Sequence, residues 1–364
     1  MKIYTVTFLI NNYGSLLQAY ALQSRLKEFG VEPFIIVKTP LQRKRTILSL
    51  LSVLKPEKNY NLFQRIKKRV DAKKYHDKNV KLNRFIKDHL AVIKIDDTDD
   101  FLNSVSSEDV FLAGSDQIWN VLNQPLSKWY SLQWTEGRGF KNYSYAASIG
   151  LSVLSLSQQQ DYENGLSSFR TISLRERQAV DLISPIFPGK VRQDIDPTLL
   201  WDVSFWRKKE SLRIVQEPYV FVYMLRPDRN VIKLAQKVAK ERQCKIVYTG
   251  LFFYKSPNLK TVCDAGIEDF LSYIDYAEVV VTNSFHGTVF SVLYEKRFLS
   301  VKIASTSSRV DSFLEMTGLK TQSVESANDN YSLDNIDFAK AKEVLEIERR
   351  KSLDYLQSIC NSKS

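Results

Sequence analysis

The chain has 364 residues, of which 44% are hydrophobic and 26% charged, a composition typical of globular proteins and a length that favours two domains. Its apolar runs are far shorter than the roughly 20 residues that cross a bilayer, so we expect neither a membrane span nor a signal peptide. Three cysteines without metal-site spacing indicate reduced thiols, and we expect a cytoplasmic protein without bound metal.

The net charge of +11 comes from residues 41–90, which hold 15 Lys and Arg against 4 Asp and Glu, while the rest of the chain holds 37 of each. Apolar residues recur at helical spacing among these charges and predict a basic helical insertion. A solvated helical surface is the simplest interpretation, and a docking face for anionic membrane lipid or a polyanionic acceptor is the alternative. Nucleic acid is not expected, because few aromatic residues could stack on bases and no nucleic-acid motif accompanies the segment.

The first part of the chain predicts a strand, a helix and a second strand. Residues 2–10 and 32–39 are mainly β-branched and apolar, and residues 15–30 present a broad apolar helical face. Ser15 is the expected N-cap of this helix and Gly30 its expected C-terminal stop. This order of elements predicts a parallel sheet.

Further strands and helices alternate along both halves of the chain, on either side of a charged boundary near residues 202–217. The alternation predicts two doubly wound, Rossmann-like α/β domains. The first is expected to span residues 1–205 and to carry the basic insertion, and the second residues 206–335. Residues 336–364 predict an amphipathic helix that could cross back onto the first domain.

Ligands of open α/β sheets bind beyond the carboxyl ends of the strands, so polar residues that follow a predicted strand are candidate site residues. The segment TNSFHGT, residues 282–288, follows one such strand and opens a helix. Its small and hydroxyl residues are expected to leave backbone N–H groups for an anion, and His286 could transfer a proton near neutral pH. The alternative is a capped helix with a histidine packed between the domains.

Two arginines, one aspartate and one glycine are further candidate site residues. Arg175 in SLRER and Arg309 in STSSRVDSFLEM are candidate anion clamps, for which the alternatives are an ordinary ion pair and a surface position. Asp116 in AGSDQIWN is a candidate general base, or else the N-cap of a helix. Gly14, in the turn before the first helix, indicates a position that needs a positive φ.

Common active-site motifs are missing from the sequence. There is no three-glycine dinucleotide fingerprint, no Walker A motif, no His/Cys cluster with zinc-site spacing and no G-x-S-x-G elbow. This argues against a Rossmann dehydrogenase and a P-loop NTPase, and it offers no zinc site.

Six motifs follow one another along the chain: NNYGSLLQAYALQ, LAGSDQIWN, YSYAASIG, SLRER, DPTLLW and VTNSFHGTVFSVL. As an ordered set they resemble the polysaccharide pyruvyl transferase family, over residues 1–318. The resemblance implies a GT-B-like architecture, with two Rossmann-like domains facing a cleft, and phosphoenolpyruvate as the donor. The implied reaction forms a pyruvate ketal across two hydroxyls of a sugar and releases phosphate. No metal or cofactor is expected, because arginines can neutralise the leaving phosphate.

The resemblance also implies roles for the candidate residues. His286 is the expected general acid, Arg175 an expected catalytic contact of the donor, and Asp116 the expected group that activates or orients an acceptor hydroxyl. The expected donor site, mainly in the second domain, comprises Arg175, Asn283, Ser284, His286, Gly287, Thr288 and Arg309. The expected acceptor site, in the first domain, comprises Asn12, Tyr13, Gly14, Gln18, Ser115, Asp116 and Gln117.

The expected partners are phosphoenolpyruvate and a sugar acceptor that could be lipid-linked, in which case residues 41–90 would hold the enzyme at the anionic inner face of the cell membrane. Two other functions stay open. One is a GT-B glycosyltransferase with a nucleotide-sugar donor. The other is a non-catalytic module of a polysaccharide synthesis complex, which the His, Arg and Asp at the motif positions disfavour.

Overall fold

The computed structural model of the protein describes residues 1–39, 62–250, 258–303 and 307–362, without the side chains of residues 62–75, 307 and 308. The first part of the predicted basic insertion, residues 41–61, lies outside the described residues. No helix within the described ranges is long and apolar enough to cross a membrane.

A parallel sheet of seven strands forms the centre of the first domain. Its strands are β1 (Lys2–Val6), β2 (Glu32–Lys38), β3 (Val92–Ile95), β4 (Val110–Ala113), β5 (Lys141–Ser144), β6 (Phe169–Leu174) and β7 (Val191–Gln193). They lie in the order β3-β2-β1-β4-β5-β6-β7, so the topology switches direction between β1 and β4. The helices are α1 (Tyr13–Glu28), α2 (Leu62–His89), α3 (Thr98–Asn103), α4 (Leu156–Leu166) and α5 (Arg177–Ile183), and α6 (Val203–Arg207) leads to the second domain.

The second domain is built on a parallel sheet of six strands. Its strands are β8 (Tyr219–Met224), β9 (Lys245–Gly250), β10 (Leu259–Thr261), β11 (Val279–Thr282), β12 (Phe298–Val301) and β13 (Ser323–Val324). Its helices are α7 (Arg229–Glu241), α8 (Ile267–Asp275), α9 (Phe285–Leu293) and α10 (Ser307–Met316). The order β10-β9-β8-β11-β12-β13 places the topological switch between β8 and β11.

Both sheets have the strand order of doubly wound domains, which confirms the predicted fold class. All residues of β8 and β11 are buried, because helices cover both faces of the sheet. Helix α7 shows how the cover forms: Val231, Leu234 and Val238 recur at helical spacing and are fully buried, and its charged residues lie between them. Burying each such side chain contributes about 1.5–3 kcal/mol.

The start of α1 differs from the expected one. Asn12, and not Ser15, is the N-cap, because the Asn12 Oδ1 accepts the N–H of Gly14 at 3.0 Å. The Ser15 hydroxyl instead donates to the carbonyl of Phe8 at 2.6 Å and fixes the turn after β1. At the other end Gly30 has a φ of 78°, the left-handed conformation that commonly ends a helix.

The segment between the domains is packed. The boundary predicted at 205/206 falls inside α6, where Trp206 is fully buried. The Trp206 ring lies 5.1 Å from that of Phe290 in the second domain, and its indole N–H donates to the carbonyl of Thr198 in the first at 3.1 Å. One apolar cluster therefore continues from one domain into the other.

The last helix, α11 (Phe338–Cys360), lies on the first domain although it follows the second in the chain. The Tyr355 hydroxyl donates to the carbonyl of Ser144 at 2.9 Å, and the Arg349 Nε donates to the carbonyl of Leu199 at 2.7 Å. The helix thus fastens the edge of the first domain that carries residues 194–201.

The described side chains of α2 show that the basic insertion is more than a solvated surface. Leu82 and Phe85 are buried, and the Phe85 ring packs 5.5 Å from that of Tyr20. Lys81 reaches the second domain, where its Nζ pairs with Asp269 at 2.8 Å. The insertion therefore contributes to the contact between the domains.

Candidate active site

The carboxyl ends of the two sheets face each other at the junction of the domains. The loop after β1 and the first turn of α1 meet the ends of β8 and β9 there. Tyr13, the first residue of α1, donates its hydroxyl to the carbonyl of Ala265 at 2.9 Å, and the Tyr223 hydroxyl at the end of β8 donates to the Asn12 Oδ1 at 3.4 Å. Ligand sites of doubly wound domains lie at these edges.

His286 crosses this junction from the second domain. It lies in the first turn of α9 and is 6% exposed. Its Nε2 is 3.5 Å from the Asp196 Oδ2 of the first domain, and its ring packs directly against the α-carbon of Gly14, where a Cβ would overlap Nδ1. Gly14 is helical, so the expected positive φ was wrong, and the residue is needed for this close approach.

The carboxylate of Asp196 joins the histidine to an arginine. Asp196 is 1% exposed, and its Oδ1 accepts the backbone N–H and the hydroxyl of Thr198 at 3.0 and 2.7 Å. Its Oδ2 accepts the Arg175 Nη1 at 2.5 Å. Burial alone would raise the pKa of Asp196, but His286 and Arg175 hold it well below its usual value. The carboxylate is therefore charged, and it lies beside the imidazole.

Arg175, at the end of β6, keeps part of its guanidinium free. The side chain is buried, and neither Nε nor Nη2 hydrogen-bonds to any of the described residues. The Oε1 of Glu176 lies 3.7 Å from Nε, and that oxygen accepts the Ser148 hydroxyl. Burial disfavours the charge on Arg175, yet Asp196, Glu176 and Asp116 together raise its pKa. The free N–H groups are suited to an anion.

Arg309 adds a second cation from α10 of the other domain. Its guanidinium lies 5.9 Å from the centroid of the Phe285 ring, and that of Arg175 lies 4.6 Å from the same centroid. The Arg309 Nε is buried and has no hydrogen-bond partner among the described residues. Burial and then the charge of Arg175 lower the pKa of Arg309 to about 10. A cavity of about 20 Å³, roughly one water in size, lies between the arginines, Asp196 and Phe285.

Asp116 follows β4 in an irregular loop, so its interpretation as a helix N-cap was wrong. It is half-buried and has a φ of 75°, uncommon for a residue other than glycine. Its carbonyl accepts the Ser148 N–H at 3.0 Å, which holds the loop beside β5. The charge of Asp116 raises the pKa of Tyr223 and of Arg175, so the carboxylate lies at the edge of the same cluster.

The other expected donor residues are bonded within the second domain. The Asn283 amide accepts from the Leu225 N–H at 3.1 Å and donates to the Arg226 carbonyl at 2.9 Å. These bonds join the loop after β11 to the loop after β8. The Ser284 Oγ caps the N–H of Gly287 at 3.3 Å, so the expectation that this N–H is free for an anion was wrong. Thr288 is fully buried and bonds to Ser300. Direct donor contacts of these residues stay a prediction.

The expected acceptor residues differ in their surroundings. Asn12 and Gly14 contact the second domain at the cluster, through Tyr223 and His286 respectively. Tyr13 and Gln18 are fully buried, and the Gln18 Nε2 donates to the Thr7 Oγ1 at 3.0 Å. The Thr7 hydroxyl in turn donates to the carbonyl of Ser115 at 2.9 Å. This bond ties the loops after β1 and β4 together. Gln117 is half-buried, and its Nε2 has no partner among the described residues.

Sequence reasoning missed Asp196, the residue that connects the cluster. The motif DPTLLW was noted only as one of the six ordered motifs, and no role was assigned to its aspartate. Asp196 also caps the 3-10 helix Pro197–Leu200. Its spacing from Arg175 and His286 gives no local pattern that could reveal the contacts. Within the described residues no group of three His, Cys, Asp or Glu side chains could hold a metal ion.

A sequence model of the polysaccharide pyruvyl transferase family matches residues 12–305, most of the chain and all of the cluster except Arg309. The protein belongs to this family. No curated protein matches the chain as a relative. Solved structures share its fold at low sequence identity. UGT89C1 of Arabidopsis thaliana, in complex with UDP-L-rhamnose, has a TM-score of 0.55 at 9% identity, with 99% of each chain covered.

Two epimerases give similar scores. UDP-GlcNAc 2-epimerase of Neisseria meningitidis, bound to UDP-GlcNAc, has a TM-score of 0.51 at 10% identity. The match covers 100% of the present chain and 95% of the epimerase chain. The enzyme of Methanocaldococcus jannaschii has a TM-score of 0.51 at 10% identity, with coverage of 95% and 92%. These likenesses show that the chain has a GT-B-like fold and, at such identities, they show only the fold.

Proposed function

We propose that the protein transfers the pyruvyl group of phosphoenolpyruvate onto two hydroxyls of a sugar in a polysaccharide or its precursor, forming a pyruvate ketal and releasing phosphate. The observation that supports this donor is the pair of guanidinium groups of Arg175 and Arg309. The Nε and Nη2 of Arg175 and the Nε of Arg309 are buried and make no hydrogen bond to the described residues. Phosphoenolpyruvate carries a phosphate and a carboxylate, and two arginines from facing domains suit a ligand with two anionic groups.

His286 is the proposed general acid. Its imidazolium gives a proton to the vinyl carbon of the donor, which becomes a methyl group. A sugar hydroxyl bonds to C2 and loses its proton. The C2–O bond to phosphate then breaks, and phosphate leaves with the electron pair while the arginines neutralise its charge. The second hydroxyl bonds to C2, loses its proton and completes the ketal.

Asp116 is the proposed base on the acceptor side. Its side chain is half-buried at the edge of the cluster, and the residue itself has a left-handed backbone conformation. Such backbone strain often accompanies functional positions. The proposed chemistry is acid–base and electrostatic throughout, and it requires no cofactor.

Donor binding requires the junction to open. The cavity between the arginines holds about one water, which is too small for phosphoenolpyruvate. Arg175 belongs to the first domain and Arg309 to the second, so a separation of the two domains widens this space. Closure around the bound donor would then exclude water from the reacting carbon.

A second candidate is a glycosyltransferase that uses a nucleotide sugar, with which the GT-B-like fold is consistent. Thermal denaturation with each donor separates the two. Phosphoenolpyruvate at saturating concentration should raise the melting temperature, because a ligand that binds only the folded state stabilises it. UDP-glucose and UDP-GlcNAc should have no effect. Stabilisation by a UDP-sugar and not by phosphoenolpyruvate would reverse the assignment.

The acceptor is proposed to be lipid-linked, with the basic residues 41–90 at the anionic inner face of the cell membrane. The exposed Arg84 side chain on α2 and the charge excess of the segment support this placement. Flotation with vesicles that contain or lack anionic lipid tests it. Binding that requires anionic lipid and weakens with salt is expected, and equal recovery with neutral vesicles would contradict it.

A further inference from the structure

Glu176 is a buried acid that the proposed chemistry does not use. It directly follows Arg175, precedes α5 and is 2% exposed. Its Oε1 accepts the Ser148 hydroxyl, and its Oε2 is buried without a hydrogen-bond partner among the described residues. The side chain does not cap α5 either. A buried carboxylate oxygen without a donor is unfavourable, and a ligand that supplies a donor relieves this cost.

Two arginines beside Glu176 have the complementary deficit. The Arg175 Nε lies 3.7 Å from the Glu176 Oε1, too far for a hydrogen bond, and neither Nε nor Nη2 has a partner among the described residues. The Nε of Arg309 is likewise unpaired there. Burial and then the charge of Arg175 lower the pKa of Arg309, and of the acids that oppose this shift Glu176 has the largest effect. The carboxylate therefore lies close to guanidinium groups of both domains.

These groups do not satisfy one another, because other bonds hold them in place. Arg175 is paired with Asp196 through Nη1, and Glu176 is bound to Ser148. The Ser148 backbone N–H in turn donates to the carbonyl of Asp116 at 3.0 Å, which fixes the position of Ser148. Unmatched N–H donors and an unmatched carboxylate oxygen thus remain side by side. A ligand that satisfies both kinds of atom must offer acceptors and a donor.

A hydrogen phosphate group has this combination of atoms. Its ionised oxygens accept the N–H groups of the arginines, and its P–OH donates to a carboxylate. A fully ionised oxyanion such as sulfate offers acceptors only, so the Glu176 Oε2 would stay unpaired and would repel the nearest sulfate oxygen. The atoms around Glu176 therefore distinguish a protonated phosphate from another oxyanion of similar size and shape.

We propose that Glu176 makes the site specific for a protonated phosphate group by accepting the hydrogen bond of its P–OH. This inference rests on the proposed function, because it identifies that group as the phosphate of phosphoenolpyruvate. The proton matters when the C2–O bond breaks and its electron pair goes to the ester oxygen. A phosphate that keeps its proton leaves as the hydrogen phosphate dianion, whereas one without it would leave as the far more basic trianion.

The test compares inorganic phosphate with sulfate in calorimetric titrations of the full chain. At about pH 7 phosphate carries at least one P–OH and sulfate carries no proton. The wild type is expected to bind phosphate at least about tenfold more tightly than sulfate, the effect of one charge-assisted hydrogen bond. Equal affinities, or no binding of phosphate at millimolar concentration, would overturn the proposal. This comparison uses the unmodified protein and needs no variant that folds.

Glu176→Gln isolates the effect of the carboxylate, because the amide has a similar size and can donate an N–H to sulfate. Sulfate binding should tighten at least about fivefold, and the two affinities should then agree within about twofold. Asp181→Asn, which removes an exposed acid of α5, is the matched control and should keep the wild-type preference. A folded Glu176→Gln variant that keeps the full preference for phosphate, at whatever affinity, would overturn the proposal.

Titration with phosphoenolpyruvate separates this inference from the proposed function. A preference for phosphate that Glu176→Gln loses, in a protein that does not bind phosphoenolpyruvate, would support the protonated-phosphate site and count against the donor assignment alone. Binding of phosphoenolpyruvate by a wild type that does not distinguish phosphate from sulfate would support the donor and overturn the inference.

Discussion

The imidazole of His286 occupies the space that a side chain at Gly14 would take. This contact joins the second domain to the first turn of α1, and it sets the ring beside the carboxylate of Asp196. The position of the proposed general acid thus depends on the absence of a side chain in another domain. The predictions below start from this contact.

Gly14→Ala is expected to displace the His286 ring and to lower the free energy of unfolding by about 1–3 kcal/mol, the usual cost of overpacking a dense site. In a His286→Ala background the space is empty, and the same substitution should be neutral or gain at most about 1 kcal/mol from helix propensity. Urea denaturation of the four variants measures this double-mutant cycle. An equal loss of unfolding free energy in both backgrounds would show that the His286 ring does not determine which side chain residue 14 can carry.

Asp196→Asn is expected to lower the free energy of unfolding by about 3 kcal/mol or more at neutral pH, because buried Arg175 then loses the carboxylate that pairs with its Nη1. Denaturation by urea at several pH values measures the loss. Asp181→Asn, which removes an exposed partner of Arg177, is the control and should cost at most about 1 kcal/mol. A similar loss in both variants would mean that the buried Asp196–Arg175 pair contributes no more to the free energy of unfolding than an exposed pair does.

The same variant has a defined pH dependence. The pKa of Asp196 is held below its unfolded value of about 4, so the carboxylate contributes stability that is complete above that value. This contribution disappears as the pH falls from about 4 towards the lower, folded pKa. The difference between the wild type and Asp196→Asn should therefore shrink below about pH 4. A difference that stays constant into acid would contradict the depressed pKa.

The stability contributed by Glu210, in the segment between the domains, should change with pH in the direction opposite to that of Asp196. Burial and then the charge of Asp275 raise the pKa of Glu210 to about 7. The folded state therefore loses stability as the pH rises from the unfolded pKa of about 4.3 through 7. Glu210→Gln should melt at a higher temperature than the wild type at pH 8, and the two should converge as the pH falls.

An exposed glutamate in the same segment is the control for this effect. Glu217 pairs with Lys245 at 2.5 Å, and its pKa is lowered, chiefly by the hydrogen bond from that lysine. Glu217→Gln should therefore give no gain in melting temperature at pH 8. A gain in Glu217→Gln equal to that of Glu210→Gln would point to a general charge effect.

Arg349→Met is expected to loosen the segment that carries Asp196. The Arg349 guanidinium donates to the carbonyls of Leu199 and Trp201 at 2.7 and 3.4 Å, so its loss leaves these acceptors unsatisfied and should cost about 1–3 kcal/mol. Arg350→Met, an exposed neighbour, should stay within about 0.5 kcal/mol. Scanning calorimetry compares the two, and equal melting temperatures would exclude this role of α11.

The fold could be predicted from the sequence because short local patterns of apolar residues indicate each strand and helix. Apolar strands such as β8 and the helical spacing of α7 each indicate their own structure, and alternation of the two indicates a doubly wound domain. The site was predicted in part for the same reason. His286 and Arg175 follow strands, and ligand sites of such sheets lie where strands end.

The remainder of the site depends on contacts between distant parts of the chain. The role of Asp196 comes from two side chains in other elements, and the need for glycine at position 14 comes from a ring in the other domain. The N-cap of α1 was misplaced because Asn12 and Ser15 are both good caps, and only the path of the preceding loop decides between them. Local patterns carry no information about such contacts.

The measurement that bears most directly on the donor site is calorimetric titration with phosphoenolpyruvate of the wild type, Arg175→Ala and Arg309→Ala, with the exposed neighbour Arg177→Ala as control. The wild type and Arg177→Ala should bind with equal affinity, and each of the other two variants should bind at least about tenfold more weakly. Arg309 has no carboxylate partner among the described residues, so its loss tests anion binding without releasing a buried acid. Absence of binding by the wild type at millimolar donor, or equal binding by all four proteins, would contradict a phosphoenolpyruvate site between these arginines.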